Sequence, residues 1–206
     1  MNIEKIKDAL KVFNCEVISE NENEAVIKVS QKTEKLADIP NGSTFKVGNF
    51  EFIKLGDAED GETTAVILKD FVKKMEFGKN NNYEESNVRK YLNNEFLKEL
   101  EKAVCTSNIY THKVDLTAND GLKNYGSVRD KVSLITADNY RRYREFLPGY
   151  GDWWWTATPF SCKSNGYSSD VCCVCNRGTL NWDDCDYSKG VRPFCIFSSS
   201  IFVFCE

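Results

Sequence analysis

Apolar residues recur at helical spacing over residues 3–13, where Ile3, Ile6, Leu10 and Phe13 share one face with charges between them. That pattern predicts a short amphipathic helix. The period then falls to two, and residues 15–19 and 24–30 read as strands around the polar turn Glu20-Asn21-Glu22-Asn23. Residues 37–42, with a Pro and a Gly, read as a linker. A boundary near residue 40 follows, with a helix and strand-pair segment over 1–40 and a main domain over 41–206.

In the main domain, alternation predicts strands at 44–54 and 64–69, separated by an acidic turn at 56–61. After an asparagine-rich loop, Ser86 is placed to cap a helix running to about residue 104, whose apolar face is Val88, Leu92, Phe96, Leu97 and Leu100. Residues 131–135 read as a strand, and Thr136 caps a second helix through Phe146. From Trp153 onward the pattern is strand and turn, with strands at 153–156, 170–175, 178–182, 194–197 and 201–204. Two helices and short antiparallel sheets place the domain in the α+β class.

Composition narrows the function. The 206 residues are 41% hydrophobic and 28% charged, which is globular rather than disordered. Lys plus Arg number 27 against 31 for Asp plus Glu, so no positive excess exists to neutralise phosphates, and nucleic acid is not an expected partner. Charges interrupt every N-terminal window that a signal peptide would need, and no apolar run reaches membrane-spanning length. A cytoplasmic site of synthesis is the expectation.

Seven of the nine cysteines, Cys162, Cys172, Cys173, Cys175, Cys185, Cys195 and Cys205, lie in the last 45 residues. An odd count in a reducing compartment argues against a disulfide framework. Cys172 and Cys175 make a C-x-x-C, but on a strand they point to opposite faces, and neither a second pair nor a nearby histidine completes a zinc set. Alternation turns Cys172 and Val174 inward and Cys173 and Cys175 outward, beside Ser169 and Val171. Cys195 reads as core. A nucleophilic thiol would need a cationic neighbour, and only Arg177 and Arg192 are close in sequence. Two of Trp153, Trp154 and Trp155 are expected in the core, His112 in a solvated loop, and Asp183, Asp184 and Asp186 in a solvated turn.

The run Gly42-Ser43-Thr44-Phe45-Lys46-Val47-Gly48, the segment Asn87-Val88-Arg89-Lys90-Tyr91-Leu92-Asn93, the strand Trp153-Trp154-Trp155-Thr156-Ala157-Thr158-Pro159 and the turn Gly190-Val191-Arg192-Pro193-Phe194 occur in a distinctive order. With these, residues 41–206 resemble an uncharacterised bacterial and phage domain family. That family is similar to the C-type-lectin-like variable proteins of diversity-generating retroelements, and more distantly to the formylglycine-generating enzymes. The resemblance implies a C-type-lectin-like fold whose C-terminal tract, about residues 160–190, is rewritten at adenines. AAC and AAT codons changed in this way never yield Glu, Gln, Lys, Met or Trp. Between Glu145 and Glu206 the chain has no Glu, Gln or Met, whereas sixteen Glu stand at or before Glu145. Lys163, Trp182 and Lys189 lie outside that rule.

On that resemblance Val171 or Cys172, Val174, Gly178, Leu180 and Arg192-Pro193-Phe194 would be fixed. The outward, ligand-binding positions would be Tyr167, Ser169, Asp170, Cys173, Cys175, Asn176, Arg177, Asn181, Trp182, Asp183, Cys185, Asp186 and Tyr187. The implied function is recognition of a protein or cell-surface ligand by a hypervariable, phage- or mobile-element-borne receptor-binding protein. No catalytic residue, metal or cofactor is expected, and residues 1–40 would serve oligomerisation or attachment to a virion. The alternative is a metal-dependent oxidase on the related fold, using a pair from Cys172, Cys175 and Cys185.

Overall fold

In the computed structural model the described residues are 15–20, 25–29, 33–59, 61–149 and 151–205, the first two stretches as backbone alone. The helix expected over 3–13 lies outside them. The strand pair that follows it is formed by β1 (Cys15–Glu20) and β2 (Ala25–Val29), which are antiparallel.

The chain continues through β3 (Thr33–Lys35), β4 (Thr44–Val47), β5 (Phe50–Asp57), β6 (Thr63–Leu68) and β7 (Lys73–Glu76) to helix α1, which runs Asn87–Tyr91, through a π turn at Leu92–Phe96, to Leu97–Leu100. Then come β8 (Ile109–Tyr110), β9 (His112–Asp115), β10 (Ser127–Asp130), β11 (Val132–Leu134) and the short helix α2 (Ala137–Arg142). The C-terminal part supplies β12 (Trp154–Pro159), β13 (Asp170–Val174), β14 (Leu180–Asp184), β15 (Ser188–Val191), β16 (Pro193–Ser198) and β17 (Phe202–Cys205).

An eight-stranded sheet in the order β11-β16-β6-β5-β4-β17-β3, with β8 added on β16, curls into a half barrel. A five-stranded sheet in the order β14-β13-β12-β15-β7 completes the body, and β9 and β10 form a separate pair. Among the described residues strand far outweighs helix and only one helix is substantial, so the structure is mostly β. This corrects the expected α+β, C-type-lectin-like architecture with two helices. The second expected helix ends after Arg142, because Tyr143 leaves helical geometry (φ −104°, ψ 16°) and the chain tightens into a 3-10 turn at Arg144–Phe146. Several stretches without apolar alternation, such as Lys-Lys-Met-Glu in β7, are strands because a neighbouring strand supplies their hydrogen bonds.

Helix α1 begins where its sequence predicts. The Ser86 hydroxyl accepts the Arg89 N–H at 3.0 Å, a cap that satisfies one of the first-turn donors. The Arg89 guanidinium grips buried Asp130 on β10 through Nε and Nη2 (2.9 and 2.8 Å), tying helix to sheet.

The stretch read as a linker is docked. β3 pairs with β17, Leu36 and Ile39 are core residues, and the buried Lys54 ammonium donates to the carbonyls of Leu36 (2.9 Å) and Ala37 (3.0 Å) while meeting Asp57 at 2.8 Å. The adjacent Trp154 and Trp155 point to opposite faces, as strand geometry demands. Trp155 joins the cluster with Phe52, Phe77, Leu92 and Phe197, and Trp154 the cluster with Ile67, Tyr140, Val174 and Phe194. Trp153 is half-buried against the first.

His112 is a correction. It lies on β9 rather than in a solvated loop, with Nε2 2.9 Å from the Ser133 hydroxyl and its ring edge-on to Phe194 at 5.4 Å. Burial lowers its pKa below the ordinary histidine value, although the Tyr110 carbonyl and Asp130 oppose the shift.

Candidate functional site

The sequence-predicted positions converge on the β13–β14 hairpin and the loop before it, but not all face solvent. β13 lies between β12 and β14 with both faces covered. Val171 and Cys173 face the cluster that holds Trp155, Ala157 and Cys185, while Val174 faces the cluster of Trp154 and Tyr140. Cys173, Cys175 and Cys185 are therefore buried, a correction to their outward assignment. One-sided alternation applies to a strand with one wet face, and beyond half-buried Asp170 every residue of β13 is buried. Burial pushes the Cys172 and Cys173 thiols up to about 12 and raises the Cys195 and Cys185 thiols as well.

Cys172 and Cys173 point from opposite faces of β13, and only Cys173 shares a cluster with Cys185. Among the described residues no three His, Cys, Asp or Glu side chains converge as a metal site would require. Exposed Cys105 differs from these thiols, because its hydrogen bond with Ser107 (3.1 Å) lowers its pKa. Native-state alkylation followed by mass spectrometry should therefore modify Cys105 first and leave Cys172, Cys173 and Cys195 unlabelled until denaturant is added. Fast modification of Cys173 in the native state would contradict the two-sided burial of β13.

The solvent-facing role falls to β14, the edge strand. Its register against β13 sets Asp184 opposite Asp170 and Trp182 opposite Cys172 on one face, with Asp183 opposite Val171 and Asn181 opposite Cys173 on the other. Trp182 is 53% exposed and stacks on Phe160 at 4.7 Å between ring centroids, with planes 29° apart. Tyr167, 44% exposed, meets the same Phe160 ring edge-on at 5.7 Å. Phe160 was missed in the sequence because it sits at a strand end, far along the chain from Trp182.

The loop that carries Phe160 and Tyr167 is anchored by buried Asn81. Its amide Nδ2 donates to the carbonyls of Ser161 (2.9 Å) and Asp170 (3.1 Å), its Oδ1 accepts the Tyr125 hydroxyl (2.8 Å), and its backbone N–H donates to Ser168 O (2.8 Å). Nothing in the local sequence distinguished Asn81 from its neighbours Asn80 and Asn82.

At the far end of the hairpin, Gly178 (φ +78°) takes a left-handed conformation that favours glycine, and a Cβ there would sit 2.6 Å from Arg144 Nη2. The Tyr140 hydroxyl donates to Gly178 O at 2.7 Å and fixes the turn, leaving Asn176 and Arg177 exposed.

Carboxylates crowd this edge. Desolvation, then Asp184, then Asp183 raise the Asp170 pKa, and Asp186, Asp184 and Asp170 all add to the burial that raises the Cys185 thiol. Asp183 is neutralised by Lys189, a nearly buried lysine whose ammonium lies 4.7 Å from the Trp153 ring centroid and 5.3 Å from that of Trp155. Asp170, Asp184 and Asp186 have no ion-pair partner among the described residues.

A second surface lies at the π turn of α1. A cleft of about 690 Å³ is lined by Phe50, Phe71, Val72, Tyr91, Glu95 and Phe96, among others, a volume of small-molecule scale. The Leu97 N–H reaches back to Leu92 O, and the Asn93 and Asn94 amides donate to the carbonyls of Arg89 (3.2 Å) and Lys90 (2.7 Å). Those amides stabilise the widened turn. The helical period of the sequence gave no sign of it.

Among the described residues no helix is long and apolar enough to cross a membrane. No curated protein matches the chain, and no solved structure matches it. A family model described as a domain of unknown function, DUF6273, matches residues 62–144 and 134–199, thus β6, β8, β11 and β16 of the half barrel and the β13–β14 hairpin. These matches span more than half of the 206 residues, and the chain belongs to the DUF6273 family.

Proposed function

We propose that this protein recognises a ligand through the outer edge of the β13–β14 hairpin and the loop before it. The observation that carries this reading is the aromatic group Phe160, Tyr167 and Trp182, stacked in a fixed geometry yet presented to solvent. Large rings with few rotors lose little entropy on binding, and anchors of this type dominate the energetics of interfaces. Tyr187, 57% exposed in the turn after β14, adds a further aromatic ring at the same end of the hairpin, beside Lys189. Asn176, Arg177 and Asp186 are exposed at its two ends, and Ser169, Asn181 and Asp183 are half-buried between them.

Any sequence diversity in this tract would fall on the exposed positions. Cys173, Cys175 and Cys185 belong to the frame, so a diversified surface would hold small apolar residues there while changing Tyr167, Asn176, Arg177, Asp186 and Tyr187. Sister copies of the gene that differ evenly along the chain would count against diversification.

The test is Trp182→Ala, screened beside wild type on peptide and glycan arrays and on intact bacterial cells. Loss of the wild-type binding signal is expected, with the melting temperature lowered by only a few degrees, because an aromatic pair contributes about 1 kcal/mol beyond the area it buries. Unchanged binding would overturn the reading. A fall in melting temperature of the size caused by a core truncation would make Trp182 a structural residue instead.

A further inference from the structure

The charge around the aromatic patch specifies what it binds. Asp170 and Asp184 stand directly opposite each other on the same face as Trp182, like charges in a cross-strand position that is destabilising in isolation. Two cations of this region are committed to other partners. Lys189 is paired with Asp183, and Arg141 with Asp138 and Asn119. The aromatic faces and the two unpaired carboxylates together form a surface suited to a cation on a long apolar stem.

The backbone of β14 decides between strand addition and recognition by side chains. Cys175 and Cys185 donate their N–H groups to the carbonyls of Thr179 and Ser169, and this pattern turns the Trp182 and Asp184 N–H groups toward the open edge. Both already bond to side-chain oxygens of the preceding residues, Asn181 Oδ1 at 2.9 Å and Asp183 Oδ1 at 3.0 Å. An incoming strand would find its donors taken, so the edge is blunted against β-augmentation.

Resting on the binding role proposed above, we infer that the patch takes a basic polypeptide segment, with an arginine or lysine side chain laid across Trp182 and its charge held by Asp170 and Asp184. The planar guanidinium suits both partners, since it stacks on aromatic rings and donates in pairs to carboxylates.

The probe is a blocked peptide of alternating Arg and Gly, with its citrulline counterpart as the uncharged isostere, titrated against the full chain by calorimetry at low and at physiological salt. Wild type should bind the arginine peptide at least about tenfold more tightly than the citrulline peptide, and the double variant Asp170→Asn/Asp184→Asn should lose about the same factor. Because the two carboxylates repel, that variant should melt no lower than wild type, so its loss of binding is not a loss of fold. Glu95→Gln/Glu99→Gln, the same charge change on α1, should leave binding unaltered; an equal loss there would assign the effect to net charge and overturn the inference. Equal affinity for both peptides, or no arginine-peptide binding at millimolar concentration, would also overturn it. Trp182→Ala keeps the two ideas separate. If that variant loses the array signal while the aspartate pair keeps it, the patch binds, but not through a cation.

Discussion

Replacing Lys54 with Met is expected to lower the unfolding free energy by about 3 kcal/mol, at the low end of the roughly 3–5 kcal/mol that follows from breaking a buried ion pair. The ammonium is almost wholly enclosed, 1% exposed, and it joins two carbonyls of the Leu36–Asp38 turn to Asp57 at the end of β5. Methionine fills the volume but donates nothing. The Ala37 carbonyl loses its donor, the Leu36 carbonyl keeps only the long bond from the Ile39 N–H (3.4 Å), and Asp57 keeps only the Thr64 hydroxyl from that network. For a chain of this length the loss corresponds to a fall in melting temperature of roughly 6–12 °C. Urea titration should show the midpoint moving with the slope unchanged.

Lys102 is the comparison. Its pair with Glu99 is exposed on both sides, and Lys102→Met should change stability by less than about 1 kcal/mol. Equal effects from the two substitutions would mean that the 33–39 segment is not held to the sheet through Lys54. No strand pattern could have announced this residue, because a lysine inside an apolar strand reads as a solvent-facing position until the carbonyls that surround it are known.

The same limit explains how much of the fold was legible. β4, β5 and β6 were readable because Phe45, Val47 and Phe52 alternate with polar neighbours around tight turns. Helix α1 was readable from Ser86 and its apolar face, and Trp154 and Trp155 from alternation alone. β7, β9 and β10 were not, because their pattern is largely charged and their stability comes from partners distant in sequence. The class was misread for the same reason: two capped segments looked like two helices, yet the second persists for only six residues.

At the candidate site the hairpin and its exposed Trp182 and Tyr187 were found by pattern. Phe160, Asn81 and the opposition of Asp170 and Asp184 depend on register and on contacts across the chain. Cys172 and Cys195 were legible as interior, whereas Cys173, Cys175 and Cys185 were not. The clustering suggested a surface drifting in composition, whereas Cys173 and Cys185 lie in one buried cluster with Val171, Ala157 and Trp155 as small apolar fillers.

That difference gives the second large effect. Cys173→Asn is expected to destabilise the protein by roughly 3 kcal/mol or more, whereas Trp182→Ala, one strand away, costs little beyond its stacking. Cys173 is 0% exposed, between Trp155 on β12 and Asn181 on β14, within a cluster of Val171, Ala157 and Cys185. An asparagine there must bury an amide with no arranged partner, at about 1–3 kcal/mol, and must also fit extra atoms into a filled space, at a further 1–3 kcal/mol or so. Cys173→Ala removes only the sulfur, and its smaller cost should follow from lost contacts alone. Chemical denaturation of the three variants orders them directly. If Cys173→Asn unfolds at the wild-type midpoint, β13 has a wet face and its cysteines return to the binding surface; if it falls well below Trp182→Ala, recognition is confined to the β14 edge and the aromatic loop, and β13 is the frame that holds them.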